Sequence, residues 1–295
     1  MNTSVPPFVS VIVPTYNDQA GVDKCLEALM AQSYPRDRYE IIVVDNNSEP
    51  PISLKNETGF DVQLVWCGTV GSYAARNQGI GDSRGEILAF TDADCVPVRE
   101  WINNGVKALI EGGSNCVVGG EVLFVEKKSK RAIELYQYVT GFLQEANIKE
   151  RQFTATANLF SYRSQFDKIG LFNANLLSGG DREWCFRATE HGAKIIFCEQ
   201  AVVVTSPRAE LSAAIRQARR IAGGRVSLKR STQDLVPTHG TRPIRNPLSA
   251  VVWILKQRQL SLLDRLRVLI VASIIKIAYM LEILRLKLSG NPERR

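Results

Sequence analysis

The chain has 295 residues, 45% of them hydrophobic and 23% charged, which suits a globular protein of one large or two small domains. Two histidines exclude a His-rich metal site, and six cysteines without a C-x-x-C pair exclude a thiolate metal cluster. The formal charge of +7 is unevenly spread: residues 206–295 hold 18 Lys/Arg against 5 Asp/Glu, a net of +13, and residues 1–205 a net of −6. A basic tail on an acidic body points to an anionic partner such as phosphate, nucleic acid or anionic lipid.

In chain order, "FVSVIVPTYND" reads as a buried strand closed by a polar turn. "AGVDKCLEALMAQ" follows with helical spacing, placing Val22, Cys25, Leu26, Leu29 and Met30 on one face. "YEIIVVDNNS" is a second apolar strand and "VQLVWCG" a short third. A helix is expected to open after Gly71 in "GSYAARNQGIGDSRG", and "EILAFTDAD" is a fourth strand. Continuous apolar runs alternating with helices predict parallel strands covered on both faces. A helix beyond Trp101, the strand "NCVVGGEVLFV" and an amphipathic helix over about 132–147 come next. "GGDREWCFRATEHG" is an acidic knot opening a helix, and "VPTHGTRPIRNP" a linker before an apolar-basic end segment. Cysteines within apolar runs behave as small hydrophobes and suggest a reduced, cytosolic setting; the N-terminus shows no secretory signal.

In open α/β sheets ligands sit beyond the carboxyl ends of the strands. That rule gathers Pro14–Asp18, Asp45–Ser48 and Asp92–Asp94 around one crevice. Two carboxylates one residue apart need a positive neighbour: a divalent metal, arginines, or solvated turn chemistry. Asp45 with Asn46, Asn47 and Ser48 reads equally as an Asx-type turn, and Asp181 as a helix N-cap. The glycines Gly71, Gly79 and Gly81 do not form G-x-G-x-x-G, so a dinucleotide fold is not expected.

In order along residues 8–225, "VSVIVPTYND", "VVDNNS", "ARNQGI", "DAD", "FDKIGLFN" and "GGDREW" make a set that resembles the family 2 glycosyltransferases. The resemblance implies the GT-A fold, a mixed, mainly parallel Rossmann-like α/β sheet flanked by helices, plus a C-terminal helical segment. It implies a catalytic domain over residues 1–235, with a nucleotide-sugar half (about 8–100) and an acceptor half (101–235), a linker over 236–247 and a basic amphipathic helical segment over 248–295.

The resemblance implies that Asp92 and Asp94 form the D-x-D motif, Asp94 holding Mn2+ or Mg2+ against a nucleotide diphosphate. Hard cations favour oxygen ligands shared with phosphates. Asp45 would face a uracil ring and accept its N–H, with Pro14, Tyr16, Asn17 and Asn47 along the nucleoside. Arg76 and Asn77, at a helix start, would approach ribose or phosphate. Asp181 would be the catalytic base of an inverting transfer, with Glu183, Trp184 and Arg163 on the acceptor side. Two departures stand out. Gly180 replaces the acidic neighbour that usually precedes the base, and "VVVTSPRAEL" lacks the histidine that often completes the metal shell. In "QARRIAGG", Ile221 stands where processive synthases carry Trp, which argues against a processive synthase.

The expected partners are a nucleotide-diphosphate sugar, expected to be UDP-linked, and a hydroxyl acceptor, with a lipid-linked glycan among the candidates. A homodimer is among the candidate assemblies, and no nucleic acid is expected because no aromatic-basic motif accompanies the tail. A sugar nucleotidyltransferase would need a Gly-rich activating loop with a lysine after the first strand, which "VPTYNDQAG" does not offer. A binding module decayed from the transferase fold should have lost Asp94 or Asp181, and both are present. In Leu262–Leu288, Arg265, Lys276 and Lys287 recur every eleven residues on an otherwise apolar helix. That pattern predicts peripheral attachment to the inner face of the plasma membrane, with packing against protein and spanning as alternatives.

Overall fold

The computed structural model describes residues 5–54, 59–125, 131–231, 247–257 and 260–288. All seven residues of strand β1 (Val9–Thr15) and of β2 (Tyr39–Asp45) are buried. A strand covered on both faces has no solvent side, which is why these segments are continuous rather than alternating apolar runs. Between them α1 (Gln19–Met30) buries Val22, Cys25, Leu26 and Leu29, and the Asp18 carboxylate caps its N-terminus by accepting from Gly21 N at 2.9 Å. Strand β3 (Val62–Trp66), helix α2 (Ser72–Asp82) and strand β4 (Ile87–Thr91) complete the expected half.

These four strands are parallel, in the order β3-β2-β1-β4. The register pairs Thr15 with Asp45, Asp45 with Trp66 and Ile12 with Phe90. The loops that follow β1, β2 and β4 therefore leave the sheet along one edge, where the strand-end rule puts a ligand.

The rest of the eight-stranded sheet runs β7-β6-β8-β5 and joins through antiparallel β4–β7 and β6–β7 pairs. It is built from β5 (Cys95–Pro97), β6 (Cys116–Phe124), β7 (Asn158–Tyr162) and β8 (Lys194–Thr205), with α3 (Trp101–Gly112) between β5 and β6. Buried Asn158 ties this half together: Nδ2 donates to the carbonyls of Glu121 and Ala201, at 2.8 and 2.7 Å, and Oδ1 accepts from Trp101 Nε1 at 2.9 Å. Of these strands only β6 stood out in the sequence. β8 is broken by polar Glu199 and Gln200 and shows no clean period.

The single amphipathic helix expected over 132–147 is instead two, α4 (Ala132–Thr140) and α5 (Gln144–Arg151). Gly141, at φ 58°, takes a left-handed C-cap conformation and its N–H bonds back to Gln137 O at 2.8 Å, which ends α4. Beyond β7 lie α6 (Arg163–Ile169) and α7 (Gly180–Glu190).

The chain divides into two compact units: Met1–Leu123 with Gln144–Leu176 and Gly180–Thr205, and Phe124–Leu143 with Leu177–Gly179 and Ser206–Arg295. The first unit holds the sheet. The second holds α4, α8 (Leu211–Ser231), α9 (Pro247–Leu255) and α10 (Leu262–Lys287), with Ile133, Ala214 and Val271 at its core. Most of the expected linker lies outside the described residues. Helix α10 is capped by Ser261, whose hydroxyl accepts from Asp264 N at 3.1 Å. Two of the cations expected in a stripe along it have partners. Arg265 turns to the end of α9 and donates to the carbonyls of Leu255, Gln257 and Leu260 at 2.9–3.1 Å, since carbonyls at a helix C-terminus attract a guanidinium. Lys276 lies over the Tyr279 ring at 5.4 Å. The face left to solvent carries Leu263, Leu266, Ile270, Ile277, Met280 and Leu284, all more than half exposed.

Candidate active site

The strand-end loops are cross-tied by short polar side chains. Pro14 lies within buried β1, and Tyr16, 39% exposed, follows it at the mouth. Asn17 and Asn47 take left-handed backbone, at φ 52° and 64°, a conformation that asparagine tolerates better than most residues. Asn17 N donates to Ser48 Oγ at 2.8 Å, and its side-chain oxygen accepts from Glu49 N at 2.8 Å. Asp45, 4% exposed, accepts from Ser48 N at 2.9 Å and from Ile52 N at 3.1 Å, one amide on each oxygen. The Asx turn readable in the sequence is therefore present, and Asp45 holds its own loop. Asn47 Nδ2 donates to Gly68 O at 3.0 Å. Asn46 reaches further: it donates to Cys67 O and Thr69 O at 3.0 and 2.6 Å and accepts from Gly71 N at 2.8 Å. It thereby fixes where α2 begins.

Helix α2 lies close against β1 and β2. A Cβ at Gly79 would come within 2.7 Å of Ile12 and 3.1 Å of Val44, so only glycine permits this approach. That packing brings Arg76, 3% exposed, to Asp92, with which it forms an ion pair through Nη2 and Oδ1. Arg76 Nη1 also donates to Ser72 O at 3.2 Å. The positive neighbour required by the two aspartates is thus, for Asp92, a guanidinium. Asp94 is exposed at the same strand end, and its backbone carbonyl accepts from Thr205 Oγ1 at 3.0 Å.

One helical turn before Arg76, Tyr73 donates from its hydroxyl to Asp181 Oδ1 at 3.2 Å. Arg182 N donates to the same oxygen at 2.8 Å. Burial raises the Asp181 pKa above the ordinary aspartate value; the Arg182 amide, the charge of Arg76 and the Tyr73 hydrogen bond oppose the shift, and Asp92 adds to it. Burial also pushes the Tyr73 phenol upward, so it stays protonated and acts as a donor. Asp92, Arg76, Tyr73 and Asp181 thus form one connected cluster. Tyr73 is the member that sequence reading missed. The available signal was its i, i+3 spacing to Arg76, which puts both on one face of α2.

Four expected site residues have partners within the fold. Asn77, expected at the nucleotide, brackets Phe172: Nδ2 donates to its carbonyl at 2.8 Å and Oδ1 accepts from its N–H at 3.0 Å. Arg163 caps the C-terminal end of α2, donating to Gly85 O at 2.7 Å, Ile80 O at 3.2 Å and Ser83 Oγ at 2.5 Å. Trp184 is fully buried, stacked on Phe166 at 4.3 Å between centroids, and donates from Nε1 to Gly170 O at 2.8 Å. Its ring anchors α7 in the core. Glu183 forms a two-pronged pair with Arg187, at 2.7 and 3.0 Å.

Among the described residues no three His, Cys, Asp or Glu side chains gather as a metal cage. The donor set that remains still fits a hard divalent cation. Asp94 offers one carboxylate at a strand end, and such ions commonly take one or two carboxylates together with substrate phosphates. Cys25 and Cys95 lie beside the two aspartates, and burial and these carboxylates raise both thiols, so both are neutral.

Residues 10–170 match the family described as Glycosyl transferase family 2. Over 205 residues the chain is 40% identical to the glycosyltransferase AglE of Haloferax volcanii, covering 68% of this chain and 67% of that one. It is 24% identical over 203 residues, 64% of this chain and 63% of the relative, to the dolichyl N-acetyl-alpha-D-glucosaminyl phosphate 3-beta-D-2,3-diacetamido-2,3-dideoxy-beta-D-glucuronosyltransferase of Methanococcus voltae. Among solved structures, the mannosyltransferase PcManGT from Pyrobaculum calidifontis, in complex with GDP-Man and Mn2+, superposes with a TM-score of 0.63 at 21% identity, covering 95% of this chain and 88% of that one. This likeness establishes the GT-A fold.

The raised Asp181 pKa fixes the sign of a stability effect. A carboxyl whose folded pKa exceeds its unfolded value favours folding below the unfolded pKa, and that contribution is lost as pH rises through the folded pKa. At neutral pH the ionised carboxylate therefore costs stability. Asp181→Asn keeps an oxygen for Tyr73 and Arg182 and removes the charge. Its Tm should exceed that of the wild type at neutral pH, and the gap should close below about pH 4, the ordinary aspartate range. Calorimetric melting across that range checks it, and a lower Tm at neutral pH would contradict it.

Proposed function

The chain belongs to glycosyl transferase family 2, and from that premise we propose that it moves a sugar, with inversion, from a nucleoside-diphosphate donor to a hydroxyl of a lipid-linked acceptor at a membrane surface. The observation that carries this reading is the arrangement of Asp181. It is a half-buried carboxylate whose Oδ1 accepts from both Tyr73 and Arg182, which leaves Oδ2 to take a proton.

The donor lies across the strand ends, its nucleoside along Pro14–Asn17 and the Asp45–Ser48 loop. Asp45 spends one lone pair of each oxygen on Ser48 and Ile52 and retains acceptor capacity for a uracil N–H. Asp94 would hold a divalent cation against the diphosphate, where Mn2+ or Mg2+ supplies Lewis-acid stabilisation of the departing phosphate. Arg76 offsets the charge of Asp92 at the same strand end, which lessens repulsion of the diphosphate there. Asp181 takes the proton of the acceptor hydroxyl as its oxygen bonds to the anomeric carbon. The bond from that carbon to the diphosphate oxygen breaks on the opposite face, and the nucleoside diphosphate leaves with the electron pair.

A panel of UDP-, GDP- and dTDP-sugars, read by nucleoside diphosphate release, tests the reaction. UDP-sugars should turn over, chelator should stop turnover, and Asp94→Asn should lower the rate by about a hundredfold, the scale of losing a principal electrostatic stabiliser. Full wild-type activity in excess chelator would sink the metal assignment, and no turnover with any donor would sink the transferase reading.

Membrane attachment is supported by the apolar solvent face of α10 and the net charge of +13 in residues 206–295. The name of the Methanococcus voltae relative refers to a dolichyl-linked phosphate, in keeping with a lipid-linked acceptor. Among the described residues no helix is long and apolar enough to cross a membrane, which supports lying on the surface over spanning. The intact chain should co-sediment with anionic vesicles, and Ile270→Glu with Ile277→Glu should release it, because both side chains face solvent and their replacement leaves the core alone. Equal pelleting of variant and wild type would contradict attachment through this face.

A further inference from the structure

Gly180 poses a volume question. Its backbone has no positive φ, so conformational freedom does not explain it. What surrounds it does. A Cβ at residue 180 would stand 2.7 Å from Cε2, 2.8 Å from Cδ2 and 3.0 Å from Cγ of Tyr73. These atoms reach to the root of the ring, so the whole side chain would have to move. Tyr73 itself is 5% exposed and wedged between the Phe172 ring, 5.8 Å away between centroids, and the Arg76 guanidinium, 5.6 Å from its own centroid. It has little room to move.

Resting on the transferase reading above, we propose that Tyr73 is the positioning residue for the base Asp181, and that Gly180 is glycine so that the Tyr73 ring can occupy the place a side chain there would fill. The Tyr73 hydroxyl and the Arg182 amide converge on Oδ1 and set the plane of the carboxylate. That turns Oδ2, the oxygen free of these two donors, toward the incoming hydroxyl. A phenol from α2 thus does what a neighbouring side chain on α7 could not do here. The remaining charged and titratable groups acting on Asp181 are Arg76 and Asp92, from α2 and the end of β4. On α7 itself, Cys185 lies one turn on, its thiol pushed up to about 12 by burial and so neutral.

Tyr73→Phe keeps the ring and removes the hydrogen bond. With donor KM unchanged, kcat should fall about tenfold, the scale of one hydrogen bond to a charged group. The acid limb of the kcat profile should move to higher pH, because the lost donor had favoured the ionised carboxylate. Gly180→Ala should lower kcat similarly in the wild-type background and add little in the Tyr73→Phe background, since both act through one hydrogen bond. Carboxyl 13C titration of the ligand-free protein reads the same contact without turnover, and the Asp181 midpoint should rise in Tyr73→Phe. An unmoved midpoint, or an unmoved acid limb with only a lower Tm, would overturn the proposal. So would equal, multiplying losses from Gly180→Ala in the two backgrounds. If the midpoint rises but the wild type turns over no donor, the pairing stands and the transferase reading fails instead.

Discussion

A guanidinium enclosed on nearly every side dictates the layout of this site. Arg76 is 3% exposed, and a buried cation without a counter-charge is among the costliest groups a fold can carry. Asp92 supplies that charge, which requires β4 to end at the level where α2 presents its second turn. The pair then fixes the electrostatics around it. It offsets the charge of Asp92 beside the exposed carboxylate of Asp94, and sets a positive charge within reach of Asp181.

The placement of α2 follows from packing and capping together. Gly79 lets the helix settle against Ile12 and Val44, Asn46 holds the loop where it begins, and Arg163 covers the carbonyls where it ends. With both ends and the inner face held, Tyr73 and Arg76 project from a rigid element. Sites carried on such elements keep their geometry better than sites on free loops. The opposite wall is equally fixed: Trp184 anchors α7 by stacking on Phe166 and bonding to Gly170, which sets the height of Asp181 three residues earlier.

Much of this framework was readable in the sequence, for identifiable reasons. Strands β1, β2 and β4 are continuous apolar runs ending in polar turns, because burial on both faces leaves no alternation. Their ends therefore pointed to the crevice. What could not be read was the use of each polar side chain. Asn77 and Arg163 had the chemistry of ligand-binding groups, yet their partners are backbone atoms brought close only by folding: Phe172 lies 95 positions from Asn77, and Gly85 lies 78 from Arg163. No local pattern signals such pairings. The break at Gly141 was missed because the apolar spacing continues past it, and Tyr73 because its partner Asp181 is 108 positions away.

Asp181 has to act in the chemistry rather than in holding the donor or the fold. Paired measurement of transfer rate and nucleotide affinity in Asp181→Asn tests this most directly, with affinity read by titration calorimetry. Transfer should be abolished while the dissociation constant for the nucleoside diphosphate changes little, because the proposed donor site lies along the strand-end loops and at Asp94, away from Asp181. Loss of affinity in step with loss of rate, or a variant that keeps its rate, would contradict the assignment.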